Sequence, residues 1–191
     1  IDSTVVVMGD FSNGNDAILT RGIKAMAGLA GAKVSLCEGT VSHYLLARAL
    51  EIAGMKEASL TRVNTTDDVI ATQFLGDKDA RAVITWNPMV MQIESQPGIT
   101  KIFDSSKIPG EIQDLLVVRT DKIAKDPRLA EALTGAWYEV LALMSQRGPA
   151  ADAAMTKMAE DSACTLAEFK GQLRTTAMFW TPKAAVEFTK G

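Results

Sequence analysis

The loop Glu38–His43 carries hydrogen-bonding groups where they can hold a small ligand. It joins a predicted strand to a predicted helix, and the first amides of a helix have no partner within that helix. The helix dipole adds partial positive charge, so an anion or a polar oxygen is attracted to such a terminus. The hydroxyls of Thr40 and Ser42 add further donors. Capping of the helix by Thr40 or Ser42 is the alternative interpretation.

Trp86 and Asn87 place an aromatic ring and an amide at the end of a predicted strand, just before Pro88. A tryptophan in this position can stack on a planar ligand or hold a cation over its ring. Burial of Trp86 in the core is the alternative.

The loop Asp10–Asp16 combines two carboxylates with two asparagines. It lacks the spacing and the final glutamate of a calcium-binding EF-hand loop. Polar side chains in this loop are therefore candidate ligand contacts, and a solvated turn is the alternative.

The sequence has no nucleophile elbow, no phosphate-binding loop and no dinucleotide-binding glycine fingerprint. A pairing of Cys37 with His43 as thiol and base lacks an orienting third group. His43 is the only histidine, which excludes a site with several histidine ligands. We therefore predict a protein that is not an enzyme and uses no metal or other cofactor. Cys37 and Cys164 fit no zinc or redox spacing, so we expect two small buried side chains, with one disulfide as the alternative.

The composition is that of a globular protein without a nucleic-acid partner. Of 191 residues, 47% are hydrophobic and 23% are charged, and the formal net charge is -3. Binding to a phosphate backbone requires a basic surface, which this balance does not provide. No apolar run approaches the roughly 20 residues that span a bilayer. The first residues lack the basic region of a signal peptide, as expected for a mature exported protein or a fragment.

Short apolar runs alternate with helical patterns in the first 120 residues. Strands are predicted at 3–8, 17–23, 33–37, 60–63, 82–85, 102–103 and 115–118. Helices are predicted at 44–53, from 66 or 67 to about 75, and from Pro88 onward. This alternation gives βαβ crossovers and a mainly parallel sheet, with ligands at the carboxyl ends of its strands. The loops 38–43, 64–67 and 86–88 are therefore expected on one rim.

After Asp126 the pattern becomes helical. Helices are predicted at 127–144, 150–160, from Thr165 with a capping box to Glu168, and 182–190. This tail has no predicted sheet of its own, so its apolar faces need a partner layer from elsewhere.

Three segments resemble the nitrate/sulfonate/taurine-type solute-binding proteins of ABC importers. Residues 39–50 look like the strand–turn–helix of that family, residues 82–88 are similar to its DAVVTWEP element, and residues 126–129 resemble its proline-started helix. Residues 11–18 and 103–112 resemble a narrower subgroup, encoded beside urea carboxylase and associated with urea or guanidine uptake.

The resemblance implies an α/β fold of the periplasmic-binding-protein-like type II class, with two lobes, crossing strands and a ligand in the cleft. Residues 1–30 would hold a crossing strand and a remnant of lobe one, 31–121 would form lobe two, and 122–191 would return to lobe one. The N-terminal part of lobe one would be absent. The family also implies a periplasmic or lipid-anchored location and a membrane permease as partner.

In the family, the helix start binds the ligand, which implies this role for Thr40, Ser42 and His43, and a strand-end role for Trp86. Asn87 departs from the family's usual glutamate, which removes a negative charge. The expected ligand-binding set is Asp10, Asn15, Asp16, Glu38, Thr40, Ser42, His43, Trp86 and Asn87.

Both the class of ligand and the function stay open at this point. The helix terminus favours an anion or a carbonyl oxygen, whereas the acidic loop and Trp86 favour a flat cation such as guanidinium, and urea satisfies both in part. We favour a small, planar, nitrogen-rich solute over a sulfonate or nitrate. Two other functions are compatible with this sequence: the inducer-binding domain of a transcription regulator, and an enzyme on the same fold.

Overall fold

The computed structural model describes residues 1–190, which form two sheets and eight α-helices. The strands are β1 (Ser3–Ser12), β2 (Asp16–Arg21), β3 (Lys33–Leu36), β4 (Thr61–Asn64), β5 (Ala82–Trp86), β6 (Ile99–Asp104), β7 (Gln113–Arg119) and β8 (Thr176–Met178). The helices are α1 (Val41–Ile52), α2 (Asp67–Gly76), α3 (Met89–Glu94), α4 (Thr120–Lys125), α5 (Arg128–Met144), α6 (Pro149–Asp161), α7 (Leu166–Leu173) and α8 (Pro182–Phe188).

The chain divides into two compact units. The central unit is Ser12–Ile112, and the terminal unit combines Ile1–Phe11 with the chain from Gln113 onward. Residues 12–30 therefore lie in the same unit as residues 31–112, and not with lobe one as predicted from the sequence.

The central unit contains a five-stranded sheet in the order β4-β3-β5-β2-β6. Strand β3 is parallel to β4 and β5, whereas β2 is antiparallel to its neighbours β5 and β6. The sheet is therefore mixed, because β2 runs antiparallel to the other four strands. The predicted parallel arrangement holds for those four strands but not for β2. Helical crossovers join parallel strands, and β2 is reached from β1 by a short turn instead.

Helices cover both faces of this sheet. Leu45, Leu46 and Ala49 of α1 share one apolar cluster with Leu36 and Ile84. On the other face, α2 and α3 supply Ile70, Phe74, Val90 and Ile93 to a cluster that includes Leu19 and Val83. Apolar side chains at helical spacing predicted the buried face of α1. The helix begins at Val41, three residues before the predicted start, because Thr40 caps it.

The terminal unit contains its own sheet in the order β7-β1-β8, which corrects the prediction of a tail without strands. The three-residue strand β8 is too short for a period-two pattern to be recognised in the sequence. Helices α5 and α6 pack through Leu141, Met144 and Met155, with Trp137 against them. Gly9 of β1 leaves room for this indole. Any residue with a Cβ would clash there, because the Cβ would lie 2.9 Å from Trp137 Cζ2.

The predicted helices of the tail are confirmed. The capping box at the start of α7 has both hydrogen bonds between Thr165 and Glu168. None of the helices formed by residues 1–190 has the length and apolar character that crossing a membrane requires. Cys37 in the central unit and Cys164 in the terminal unit are free thiols.

Candidate functional site

Three helices of the central unit begin at the same edge of its sheet. Strands β3, β4 and β5 run in one direction, and each is followed by the start of a helix, α1, α2 and α3 respectively. The carboxyl ends of such strands form the edge where α/β proteins bind ligands. This edge contains the loops 38–43, 64–67 and 86–88, as the sequence analysis expected.

Asp16 and Trp86 lie side by side at this edge. Asp16 is the first residue of β2 and pairs directly with Trp86, the last residue of β5. Since Ile18 and Ile84 on the same strands face α1, the two-residue repeat of a strand puts Asp16 and Trp86 on that face as well. Asp16 is only 3% exposed, whereas Trp86 is partly exposed. A buried aspartate therefore stands beside a partly exposed tryptophan.

A chain of short hydrogen bonds leads to the Asp16 carboxylate. Ser12 Oγ donates to Asp16 Oδ2 over 2.5 Å, and Ser12 Oγ and Ser105 Oγ are 2.6 Å apart. The Gly14 amide donates to Ser105 Oγ over 2.8 Å. Ser12 and Ser105 are 3% and 0% exposed. Sequence reasoning missed both serines, because serine is common in turns and the two positions are 93 residues apart in sequence.

The first turn of α1 is capped by its own threonine. Thr40 Oγ1 accepts from the Ser42 amide at 3.2 Å and donates to the Cys37 carbonyl at 2.8 Å. The capping interpretation of Thr40 is therefore confirmed. Ser42 itself is completely buried, and its hydroxyl has no hydrogen-bond partner among residues 1–190. Buried hydroxyls rarely lack a partner, so Ser42 stays a candidate ligand contact.

His43 and Glu38 belong to an ion cluster near the start of α1. His43 Nδ1 accepts from the Gly39 amide at 3.3 Å, and Nε2 lies 3.0 Å from Glu57 Oε1. Arg62 is 2.6 Å from Glu57 and 3.3 Å from Glu38. Both ring nitrogens of His43 and Oε1 of Glu38 therefore already have protein partners.

Asn87 and Asn15 connect β5 to the start of β2. The Asn87 amide donates to the Asn15 carbonyl at 3.0 Å, and Asn87 Oδ1 accepts from the Met91 amide at 3.0 Å. Asn87 therefore supports the start of α3. Asn15 Oδ1 is buried and has no hydrogen-bond partner within the described part of the chain, and the same holds for Thr85 Oγ1. Thr85 was not among the residues predicted from the sequence, because a threonine inside an apolar strand carries no distinctive signal.

Asp10 belongs to the terminal unit and not to the central unit that holds the residues above. It pairs with Asp114 across β1 and β7, and the residue is 7% exposed. Burial, followed by the charge of Asp114, raises the pKa of Asp10 to about 7. Asp10 lines a cavity of about 500 Å³ whose other walls are apolar, among them Trp137, Leu141 and Phe169.

Solved structures show where this architecture occurs. The periplasmic aliphatic sulphonate-binding protein SsuA from Escherichia coli matches with a TM-score of 0.79 and 21% identity, over 99% of this chain and 66% of that protein. The alkanesulfonate-binding SsuA from Xanthomonas axonopodis pv. citri matches with a TM-score of 0.76 and 13% identity, over 98% of this chain and 65% of that protein. The desulfurization enzyme DszB matches with a TM-score of 0.66 and 14% identity, over 98% and 71% of the two chains. The expected α/β fold of periplasmic binding proteins is therefore confirmed, and an enzyme also uses it.

Curated relatives match at the level of sequence. Provisionally named binding proteins from Brucella abortus and Brucella suis are 26% identical to this chain over 132 residues. The match covers 68% of this chain but only 41% of each relative. The chain thus spans less than half the length of the curated relatives that it matches. The profile of the family described as NMT1/THI5 like matches residues 13–147, which is more than half of the sequence. The chain belongs to the NMT1/THI5-like family.

Proposed function

We propose that this chain is part of the solute-binding component of an ABC importer and captures a small, planar, nitrogen-rich solute such as urea or guanidine. The observation that carries the proposal is the pairing of buried Asp16 with accessible Trp86 at the ligand-binding edge of the central sheet.

The chemistry of this edge favours a flat solute that donates hydrogen bonds. An indole accepts the face of a planar cation or amide, and a carboxylate accepts N–H groups. Asn15 Oδ1 accepts only, and Ser42 Oγ accepts or donates; both are buried without a protein partner among residues 1–190. Urea and guanidinium present N–H donors in one plane and match this set.

A sulfonate or nitrate is the second candidate, supported by the fold shared with SsuA and by the start of α1. An oxyanion needs several donors, and the helix terminus is the natural source. The Ser42 amide, however, already donates to Thr40 Oγ1, and the Gly39 amide donates to His43 Nδ1. Because these two amides already have acceptors, they are not available to an oxyanion. The Asp16 carboxylate at the same edge of the sheet would also repel an anion, so the nitrogen-rich solute is favoured.

In this proposal the central unit is lobe two and the terminal unit is part of lobe one, completed by further polypeptide of the same protein. Ligand capture then proceeds by hinge motion at the two connections between the lobes. Within the central unit, the Ser12 amide donates to the Ile112 carbonyl at 2.8 Å, which joins the residues next to both connections. The closed form docks on a membrane permease outside the inner membrane.

Calorimetric titration of the protein expressed from its natural gene tests the proposal. Guanidinium or urea should bind, and taurine and nitrate should bind more weakly or not at all. Asp16→Asn should weaken binding of the favoured solute, whereas Asp68→Asn, which alters an exposed carboxylate in the first turn of α2, should not. Binding of taurine or nitrate alone would overturn the choice of solute.

A further inference from the structure

We propose that Ser12 and Ser105 hold Asp16 in its ionised form and thereby make the site selective for a cation of the guanidinium or amidinium type over neutral urea. This inference rests on the proposed function, since it names the charge of the solute. In this proposal Asp16 contacts the solute, and the two serines are positioning residues.

The hydrogen count along the network fixes its direction. The Gly14 amide donates to Ser105 Oγ, so that contact uses an acceptor site of the serine and not its hydrogen. Each hydroxyl has one hydrogen to give. Ser105 therefore donates to Ser12 Oγ, and Ser12 donates to Asp16 Oδ2. The Asp16 amide points at the same two hydroxyls, at 3.3 Å and 3.5 Å, and also acts as a donor.

The opposite direction fails at Ser105. If Asp16 Oδ2 carried a proton and donated it to Ser12, Ser12 would donate to Ser105. The hydrogen of Ser105 would then face the Gly14 and Asp16 amides, which are donors. Ser105 is 0% exposed, so no bulk water reaches it. A proton on Asp16 Oδ2 is therefore disfavoured, and a hydroxyl that donates to this oxygen stabilises the carboxylate more than the neutral acid.

An ionised Asp16 carboxylate discriminates between solutes by their charge. The hydrogen bond from Ser12 is 2.5 Å long, as expected for a donor to a charged oxygen. A negative charge that is 97% buried is screened less than a surface charge, so it attracts a cation and repels a sulfonate. The indole of Trp86, directly across the strand pair, offers its ring to the same cation.

The ionisation state of the Asp16 carboxyl group can be tested without any ligand. Infrared difference spectra between the wild-type protein and Asp16→Asn at neutral pH should show the antisymmetric stretch of an ionised carboxylate. The carbonyl stretch of a protonated acid in its place would overturn the inference, whatever the solute is.

Selectivity is tested by the ratio of the dissociation constants for guanidinium and urea. The wild-type protein should prefer guanidinium, and Asp16→Asn should abolish the preference. Ser105→Ala removes the donor to Ser12 and so weakens the hydrogen bond that Ser12 gives to the carboxylate; it should reduce guanidinium affinity about tenfold, while urea affinity changes less. Ser105→Thr, which keeps the hydroxyl, should restore part of the ratio.

Ser95→Ala is the matched control, because that exposed hydroxyl donates only to Gln92 of its own helix. Equal binding of urea and guanidinium by the wild-type protein, or equal weakening of both in Ser105→Ala, would contradict the inference and leave the proposed function intact. Failure of both solutes to bind would instead contradict the proposed function.

Discussion

Asp10 shows how a single buried carboxyl group makes stability depend on pH. Burial and the neighbouring Asp114 raise its pKa to about 7, from a model-peptide value of 3.8. The folded protein thus holds this proton more tightly than the unfolded chain does. The resulting stabilisation is fully present below about pH 4 and is lost as the pH rises through about 7.

We therefore expect Asp10→Asn to remove this pH dependence. Near pH 8 the variant should be more stable than the wild-type protein by on the order of 2 kcal/mol, whereas at pH 4 the two should differ little. Asp114→Asn should give a smaller effect, because burial is the larger cause of the shift. Urea denaturation across this pH range measures the free energies of unfolding, and a difference that stays constant with pH would contradict the account.

At the residue scale, sequence reasoning identified Asp16 and Trp86, and the structure brings them together as cross-strand neighbours. It missed Ser12 and Ser105 because serine is common in turns, and only the folded chain brings residues so far apart in sequence to 2.6 Å. His43 and Glu38, expected as ligand contacts, have partners in the ion cluster with Arg62.

At the scale of elements, the first turn of α1 depends on Thr40. Its hydroxyl bonds both the Ser42 amide and the Cys37 carbonyl. Thr40→Ala should therefore lower the free energy of unfolding by about 1 kcal/mol, the usual cost of losing an N-cap. Thr66→Ala is the control, since Thr66 occupies the N-cap of α2 without a capping hydrogen bond. Thermal or chemical denaturation should separate the two variants, and equal losses would show that the Thr40 hydroxyl does not stabilise α1.

The helices and crossovers were predictable because their apolar spacing and caps are local features. The direction of β2 was not, because a buried strand has the same apolar pattern whether its neighbours are parallel or antiparallel. Strand β8 illustrates the same limit, since three residues contain too little pattern and its pairing with β1 joins distant parts of the chain.

At the scale of the whole molecule, the chain contains two units with separate sheets, and one of them is discontinuous in sequence. Composition and periodicity indicated the α/β class but not the boundaries, which lie inside or beside the long strands β1 and β7. The crossing strands that the family resemblance implies stay a prediction, whereas β1 and β7 pair through residues about a hundred positions apart, which a local sequence pattern does not reveal.

The central claim is that the edge of the central sheet, and not the apolar cavity of the terminal unit, receives the solute. Nuclear magnetic resonance spectra recorded during titration with guanidinium test this directly. The account predicts that the indole N–H of Trp86 and the backbone amides of Asp16 and Ser42 shift with a common dissociation constant. Shifts confined to residues around Asp10 and Trp137 in the terminal unit would contradict it.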